Sequence, residues 1–281
     1  MDNEIKPILK WVGGKRQLLN EIIPLIENDY SVYVEPFIGG GAVFFELQPK
    51  KAIINDYNSE LINLYTVIKN EPQKLIEKLE KLKNKNNQDD YYQIRNTDRE
   101  DEYNNWNNID KAARTIYLNK TCFNGLYRVN SKGYFNTPFG SYKNPNICNS
   151  ELILNISKYL NDNNIEIFCG DYKEVLKNLP KNAFVYLDPP YMPISASSSF
   201  TSYTNAGFDY SKQVELKQEC DKLREQGISF IQSNSDCPEI RELYKDYEIK
   251  TVKAKRNVNS KGDLRGEITE VLIVYKKDTS K

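Results

Sequence analysis

Apolar and polar positions follow two different spacings along this chain, and the two take turns. Short runs of branched and aromatic residues at 32–37, 52–55, 165–169, 183–187 and 228–233 predict β-strands. Between them, apolar residues three and four apart predict helices over 15–27, 43–47, 59–68, 172–179, 211–226 and 238–246. In the third of these, Leu61, Ile62, Leu64 and Tyr65 make the apolar face. Strand–helix alternation of this kind implies a mostly parallel sheet covered by helices on both faces. Two more strands, at 247–253 and 270–275, have no helical spacing between them, so they are expected to pair antiparallel at one edge.

The rhythm breaks from 71 to 161. That stretch carries a Lys/Glu-rich helix, an Asn/Asp-rich link, a helix near 112–118 and a basic segment rich in Gly, Asn and aromatic residues. It predicts an insertion packed as its own small domain, dividing a main domain of 1–70 and 162–281. No internal repeat is visible.

Composition changes this picture in three places. Lys+Arg and Asp+Glu both number 39, so overall charge points to no polyanionic partner. Its distribution does: from Lys111 to Ser150 there is no acid, while Lys111, Arg114, Lys120, Arg128, Lys132 and Lys143 all fall inside. A second basic stretch, from Lys250 to Arg265, holds the single acid Asp263. One-signed patches on a neutral protein suit a local anionic ligand; the alternative is a pair of solvated loops. The chain has no histidine, which excludes Ser-His-Asp hydrolysis, His-Glu-x-x-His metalloproteolysis and zinc nucleobase deamination. Five cysteines without a Cys-x-x-Cys pair argue against a disulfide framework or a zinc site. With no signal peptide or membrane-length apolar run, the expectation is a cytoplasmic protein without membrane or metal.

The candidate chemistry lies at strand ends. Asp188-Pro189-Pro190-Tyr191 follows the buried run 183–187, where a parallel strand delivers its carboxyl end to a crevice. Asp188 offers a carboxylate, Pro189 a carbonyl without an N–H, and Tyr191 a flat ring. Together they provide two acceptors for an exocyclic NH2 group and a surface on which its base can stack. The bland alternative is an Asp-Pro turn that merely ends the strand.

Strand 32–37 runs into Glu35-Pro36-Phe37-Ile38-Gly39-Gly40-Gly41, a turn tight enough for a ligand to approach the backbone. Phe44 stands where the dinucleotide fingerprint would place its last glycine. Asp56 ends the next strand, where an acid commonly receives two ribose hydroxyls, and Asp171 ends the third, placed to reach an adenine amino group. Lys10-Trp11-Val12-Gly13-Gly14-Lys15 fails as a phosphate loop, since Leu9 replaces its leading glycine and Arg16 its Ser/Thr. Trp11 as an apolar wall and Lys15 as a cation for a carboxylate suit a zwitterionic cofactor better.

In this order the elements resemble the Dam-type DNA adenine-N6 methyltransferases, the α group of amino methyltransferases, over nearly the whole chain. The segment from Lys10 to Arg16 is similar to the family's N-terminal cofactor motif, 35–41 to its glycine loop, Asn55-Asp56 to its ribose acid and 188–191 to its catalytic motif. Residues 123–130 and 136–140 resemble the target-recognition segment of members that modify GATC; Ser141 stands where some carry Arg, which would remove one phosphate or base contact. The resemblance implies a Rossmann-like, S-adenosylmethionine-dependent methyltransferase fold. Its mixed α/β sheet would carry helices on both faces, with 71–161 as an inserted, mainly helical DNA target-recognition domain.

It further implies S-adenosylmethionine as methyl donor and a base flipped out of duplex DNA. Trp11, Gly13, Lys15, Phe37, Gly39, Gly41, Asp56, Asp171 and Asp188 would line the cofactor pocket, and Asp188, Pro189 and Tyr191 would carry catalysis. Asn124, Arg128, Asn130, Tyr142, Lys143, Arg256 and Asn259 would meet double-stranded DNA, Arg128 being the candidate reader of guanine. The expected state is a monomer, with a cognate restriction endonuclease acting on the same site as a candidate partner and a solitary regulatory role as the alternative. Methylation of cytosine N4 or of an RNA base, and a catalytically silent DNA-binding module, are the competing readings.

Overall fold

The computed structural model describes residues 4–193, 208–255 and 267–277. Seven strands form one sheet: β1 (Val32–Glu35), β2 (Lys51–Asp56), β3 (Asn164–Cys169), β4 (Ala183–Leu187), β5 (Ser229–Ser235), β6 (Glu248–Lys255) and β7 (Glu267–Tyr275). Their order is β3-β2-β1-β4-β5-β7-β6. The first five run parallel, and β7 lies antiparallel between β5 and β6. The antiparallel edge expected of the last two strands is therefore present.

Residue alternation divides the sheet into two apolar faces. Tyr33, Phe184, Tyr186, Ile231, Leu272 and Val274 look to one side. Val32, Val34, Val185, Leu187, Phe230, Val271 and Ile273 look to the other. Such runs, apolar on both faces, belong to a sheet covered twice. Helices α1 (Leu19–Ile22), α2 (Ala42–Leu47), α3 (Ser59–Asn70), α4 (Pro72–Leu82), α5 (Gln88–Asn96), α6 (Asn108–Thr121) and α7 (Ser150–Asp162) contribute to the first cluster. Helices α8 (Tyr172–Leu176), α9 (Tyr210–Glu225) and α10 (Pro238–Leu243) cover the second.

Within 71–161 the packing is continuous with the main core. Leu75, Leu79, Tyr91, Ile116 and Ile153 join the same cluster as Leu61 and Leu64 of α3. Asparagine starts these helices: Asn58, Asn87, Asn107 and Asn149 each accept a backbone N–H three residues on, capping α3, α5, α6 and α7. Each such cap is worth about 1 kcal/mol, so the Asn-rich composition has a structural use here.

Several elements differ from the sequence expectation: α5 lies within the expected Asn/Asp-rich link, and α10 ends at Leu243 rather than at 246. The helix expected over 15–27 is broken into a 3-10 turn (Lys15–Leu18), the short α1 and a second 3-10 turn (Ile23–Leu25). Pro24 cannot donate to the carbonyl four residues back, so a regular helix cannot pass it. The helix expected over 172–179 stops at Leu176, because Lys177 is extended and Asn178 takes a positive φ of 57°. Helix α7 was not anticipated, although Leu152, Ile153, Ile156 and Leu160 carry its period and Asn149 its cap.

Candidate active site

Strand order reverses at β1, with β2 on one side and β4 on the other. Loops leaving the two carboxyl ends diverge there and open a crevice. Into it β1 delivers Glu35 and the glycine turn, β2 delivers Asp56 and β4 delivers Asp188.

The glycine turn is held from three sides. Asp56 Oδ2 accepts the Gly39 N–H at 3.0 Å while its Oδ1 accepts that of Asn58 at 2.9 Å. Asn55, buried, donates to the carbonyls of Pro36 and Gly170, and Tyr65 donates to that of Gly39. Gly39 and Gly41 have φ of +48° and +72°, the left-handed region where a side chain is strained. A Cβ on Gly39 would meet the Trp11 ring at 3.0 Å. Trp11 thus lies against the turn, and it also stacks on Tyr127 with centroids 4.9 Å apart. Phe37 packs on Tyr172 at 4.9 Å. Asp171, exposed, accepts the Lys173 N–H and caps α8. Tyr57, 65% exposed, follows Asp56 at the same edge and was not anticipated.

Asp188 meets a cation. Lys15 Nζ stands 2.8 Å from its Oδ1, the side chains being 6% and 20% exposed. The two form a close ion pair, and Oδ1 meets no other donor among the described residues. Lys15, expected to face a cofactor carboxylate, also donates to the Gly13 carbonyl and lies 4.6 Å from the Tyr191 ring centroid. Burial pushes the Asp188 carboxyl up to about 6; the charge of Lys15 opposes this and that of Glu270 adds to it.

Two further acids surround the pair. Glu35, 2% exposed, accepts the Tyr33 hydroxyl at 2.6 Å, and burial holds its carboxyl well above the ordinary range. Glu270 on β7 accepts the Tyr191 hydroxyl at 2.7 Å. Its only signal in the sequence was an acid inside the apolar run of the last strand.

The basic segment forms a folded projection. Isolated bridges join Cys122 to Phe139 and Val129 to Phe135. At its turn Asn124 takes a φ of 56°, beside Phe123, which is 53% exposed and opens the 123–130 segment without being among the expected DNA contacts. Arg128 is exposed and held by Asn136: Nε donates to Oδ1 at 2.6 Å and Nη2 to the backbone carbonyl at 3.2 Å. Asn130 Oδ1 is engaged locally, accepting from the N–H of Lys132 and of Tyr134. Tyr142 and Lys143 are exposed. Arg256 and Asn259 lie outside the described residues. Two spans fix the projection to its surroundings. The buried Asn119 exchanges hydrogen bonds with the Lys10 backbone and donates to the Gly125 carbonyl. Asp98 accepts the Phe135 N–H while pairing with Arg114 at 2.8 Å.

Among the described residues, no helix is long and apolar enough to cross a membrane, and no three His, Cys, Asp or Glu side chains gather as a metal site.

Residues 11–258 match the model of the D12 class N6 adenine-specific DNA methyltransferases. The chain is 47% identical over 269 residues to the Type II methyltransferase M1.LlaDCHI of Lactococcus lactis subsp. cremoris, covering 96% of this chain and 95% of that protein. It is 43% identical over 289 residues to the Type II methyltransferase M.MjaIII of Methanocaldococcus jannaschii, covering 96% and 99%. To the DNA adenine methylase of Escherichia coli K12 it is 34% identical over 274 residues, covering 96% and 95%. A match across most of the chain, with the Asp56, Asp188 and glycine-turn positions gathered at one crevice, leaves one conclusion: the chain belongs to the D12 class of N6 adenine-specific DNA methyltransferases.

Proposed function

We propose that this enzyme methylates the N6 amino group of an adenine rotated out of duplex DNA, within GATC, using S-adenosylmethionine. The observation that carries this reading is the state of Asp188. It is a largely buried carboxylate whose Oδ1 meets Lys15 and no other donor among the described residues, followed by Pro189, to whose carbonyl no described residue donates. These are the two acceptors an exocyclic amine needs.

The cofactor-side residues fit a nucleoside with a charged tail. A carboxylate has about four acceptor positions, so Asp56 keeps capacity for two ribose hydroxyls beyond the two backbone N–H groups it already accepts. The left-handed backbone at Gly39 and Gly41 lets the turn close against Trp11, Phe45 and Tyr65, and Phe37, Tyr57 and Trp11 offer apolar surface beside it. S-adenosylmethionine, when bound there, supplies an electrophilic methyl group.

The chain's own residues do the rest. The amino lone pair of adenine is delocalised into the ring; hydrogen bonds to Asp188 and the Pro189 carbonyl favour a pyramidal nitrogen with its lone pair directed. Positive charge develops on that nitrogen during transfer, so both acceptors stabilise the transition state more than the ground state. Tyr191 stacks on the extruded base and offsets part of the few kcal/mol that flipping costs. The proton leaves after transfer, and an acid tuned near 6 accepts it readily at neutral pH.

On the DNA side we assign target recognition to 71–161. Arg128 has five N–H donors, two of them engaged by Asn136, so an outer edge is left for the O6 and N7 of guanine. Asn124 and Phe123 would enter the duplex beside it, and Lys143 and Tyr142 would follow the backbone. A monomer acting on duplex DNA, with an endonuclease of the same specificity as companion, completes the proposal.

Methylation of DNA from a methylation-free host, followed by nucleoside digestion and modification-sensitive sequencing, tests it. N6-methyladenine confined to GATC supports the reading. N4-methylcytosine, modified RNA or no product would overturn it.

A further inference from the structure

We propose that Gln213 and Asn234 form a buried amide pair that sets the geometry of the catalytic tetrapeptide, each acting as a positioning residue. The inference rests on the assignment of Asp188 and Pro189 as the amine acceptors and extends it to two residues that touch neither substrate.

Gln213 occupies an unusual place. It lies in the first turn of α9, three residues before Leu216, on the helix side that buries Leu216, Cys220 and Leu223. The helical period calls for an apolar residue there, yet the position carries a fully buried amide. Every polar end of that amide is used. Nε2 donates to the Pro190 carbonyl at 3.0 Å, and Oε1 accepts Asn234 Nδ2 at 2.9 Å. Asn234, also fully buried on β5, turns its Oδ1 to the N–H of Met192 at 3.1 Å and of Ser235 at 2.9 Å. Ser235 Oγ then donates to the Met192 carbonyl at 2.7 Å.

The effect is to grip the chain on both sides of Tyr191. Pro190 is held by its carbonyl, Met192 by both its N–H and its carbonyl, and the Tyr191 hydroxyl by Glu270. The Pro189 carbonyl is left out of this web and takes no donor among the described residues, so of the two proline carbonyls it is the one we assign to the amine. Selecting one carbonyl and fixing its distance from Asp188 is a task local torsions cannot complete, because both prolines have similar φ. A buried polar network that is fully satisfied specifies one arrangement, and here that arrangement is of the reacting loop. Because misplacement by about 1 Å can cost 10²-fold in rate, loss of the pair should appear in turnover.

The test uses the full chain with Gln213→Met, which keeps volume and removes both hydrogen bonds, and with the milder Ser235→Ala. Expected for Gln213→Met is a kcat about 10- to 100-fold below wild type, with KM for duplex and donor within twofold. Melting temperature should fall by a few degrees, since Asn234 Nδ2 loses its acceptor, while donor affinity by calorimetry and the fluorescence of 2-aminopurine at the target base should stay near wild type. Ser235→Ala should lower kcat about threefold with the same pattern. Unchanged kcat in both variants would overturn the proposal, as would a fall in kcat matched by equal losses in donor affinity and base extrusion. Wild-type protein that forms no N6-methyladenine would instead defeat the underlying reading of Asp188, an outcome distinct from either.

Discussion

Lys15 Nζ lies 2.8 Å from Asp188 Oδ1, which places the cation of the N-terminal motif on the acid proposed for catalysis. The pairing sets a pH dependence. Burial raises the Asp188 carboxyl to about 6 and Lys15 restrains that rise. In the proposed role Asp188 acts in its ionised form, so kcat/KM should climb as pH passes upward through about 6 and fall away below it. Removing the restraint in Lys15→Met should move this acidic limb to higher pH. A limb that stays in place or moves down would show that Asp188 does not govern the profile. Asp188→Ala should abolish the limb along with at least 10²-fold of the rate, about 3 kcal/mol of transition-state stabilisation.

Asp56 has two duties, and its substitution should reveal both. Asp56→Ala removes the acceptor for the Gly39 N–H and the acceptor proposed for the ribose. Charge-assisted hydrogen bonds of this kind are worth roughly 2–4 kcal/mol together. Calorimetry should therefore show donor affinity down by 30-fold or more, with DNA affinity nearly unchanged. Equal donor affinity in the variant would place the ribose elsewhere.

Arg128 should read a base rather than anchor a phosphate. Its guanidinium is oriented by Asn136, as a bidentate reader needs. Arg128→Ala should reduce discrimination between GATC and AATC duplexes tenfold or more, in line with about 1–3 kcal/mol for a bidentate contact. Rates measured across several salt concentrations separate the roles. A parallel loss on both duplexes with a salt slope shallower by about one would mark a phosphate contact.

The Asp98–Arg114 pair should matter to stability more than a surface bridge. Its side chains are 9% and 6% exposed, and Asp98 also satisfies the Phe135 N–H of the basic segment. Breaking a buried pair from one side costs about 3–5 kcal/mol, so Asp98→Ala should lower the urea midpoint strongly. A change below about 1 kcal/mol, the range of exposed bridges, would contradict this. Because the segment loses an anchor, target discrimination should fall as well.

Much of this was legible from local pattern. The strands show as apolar runs, the glycine turn follows from backbone freedom at Gly39 and Gly41, and Asp56 and Asp188 stand at strand ends where parallel sheets gather ligands. Helix α7 was equally legible in its period and its Asn149 cap, and the break at Pro24 in the proline itself. These depend on residues within a turn or two of one another, so the sequence by itself determined them. Tertiary structure alone decided the partners: Lys15 on Asp188, Glu270 on Tyr191, Gln213 on Pro190 and Asn234. Each pair is separated by more than 20 residues and meets only through strand order, register and the packing of helices and turns on the sheet. Ser235 stands opposite Glu270 across β5 and β7, and a one-residue slip there would turn Glu270 to the other face of the sheet. Period-two alternation says which residues share a face; the packing of the whole sheet chooses which neighbour they face.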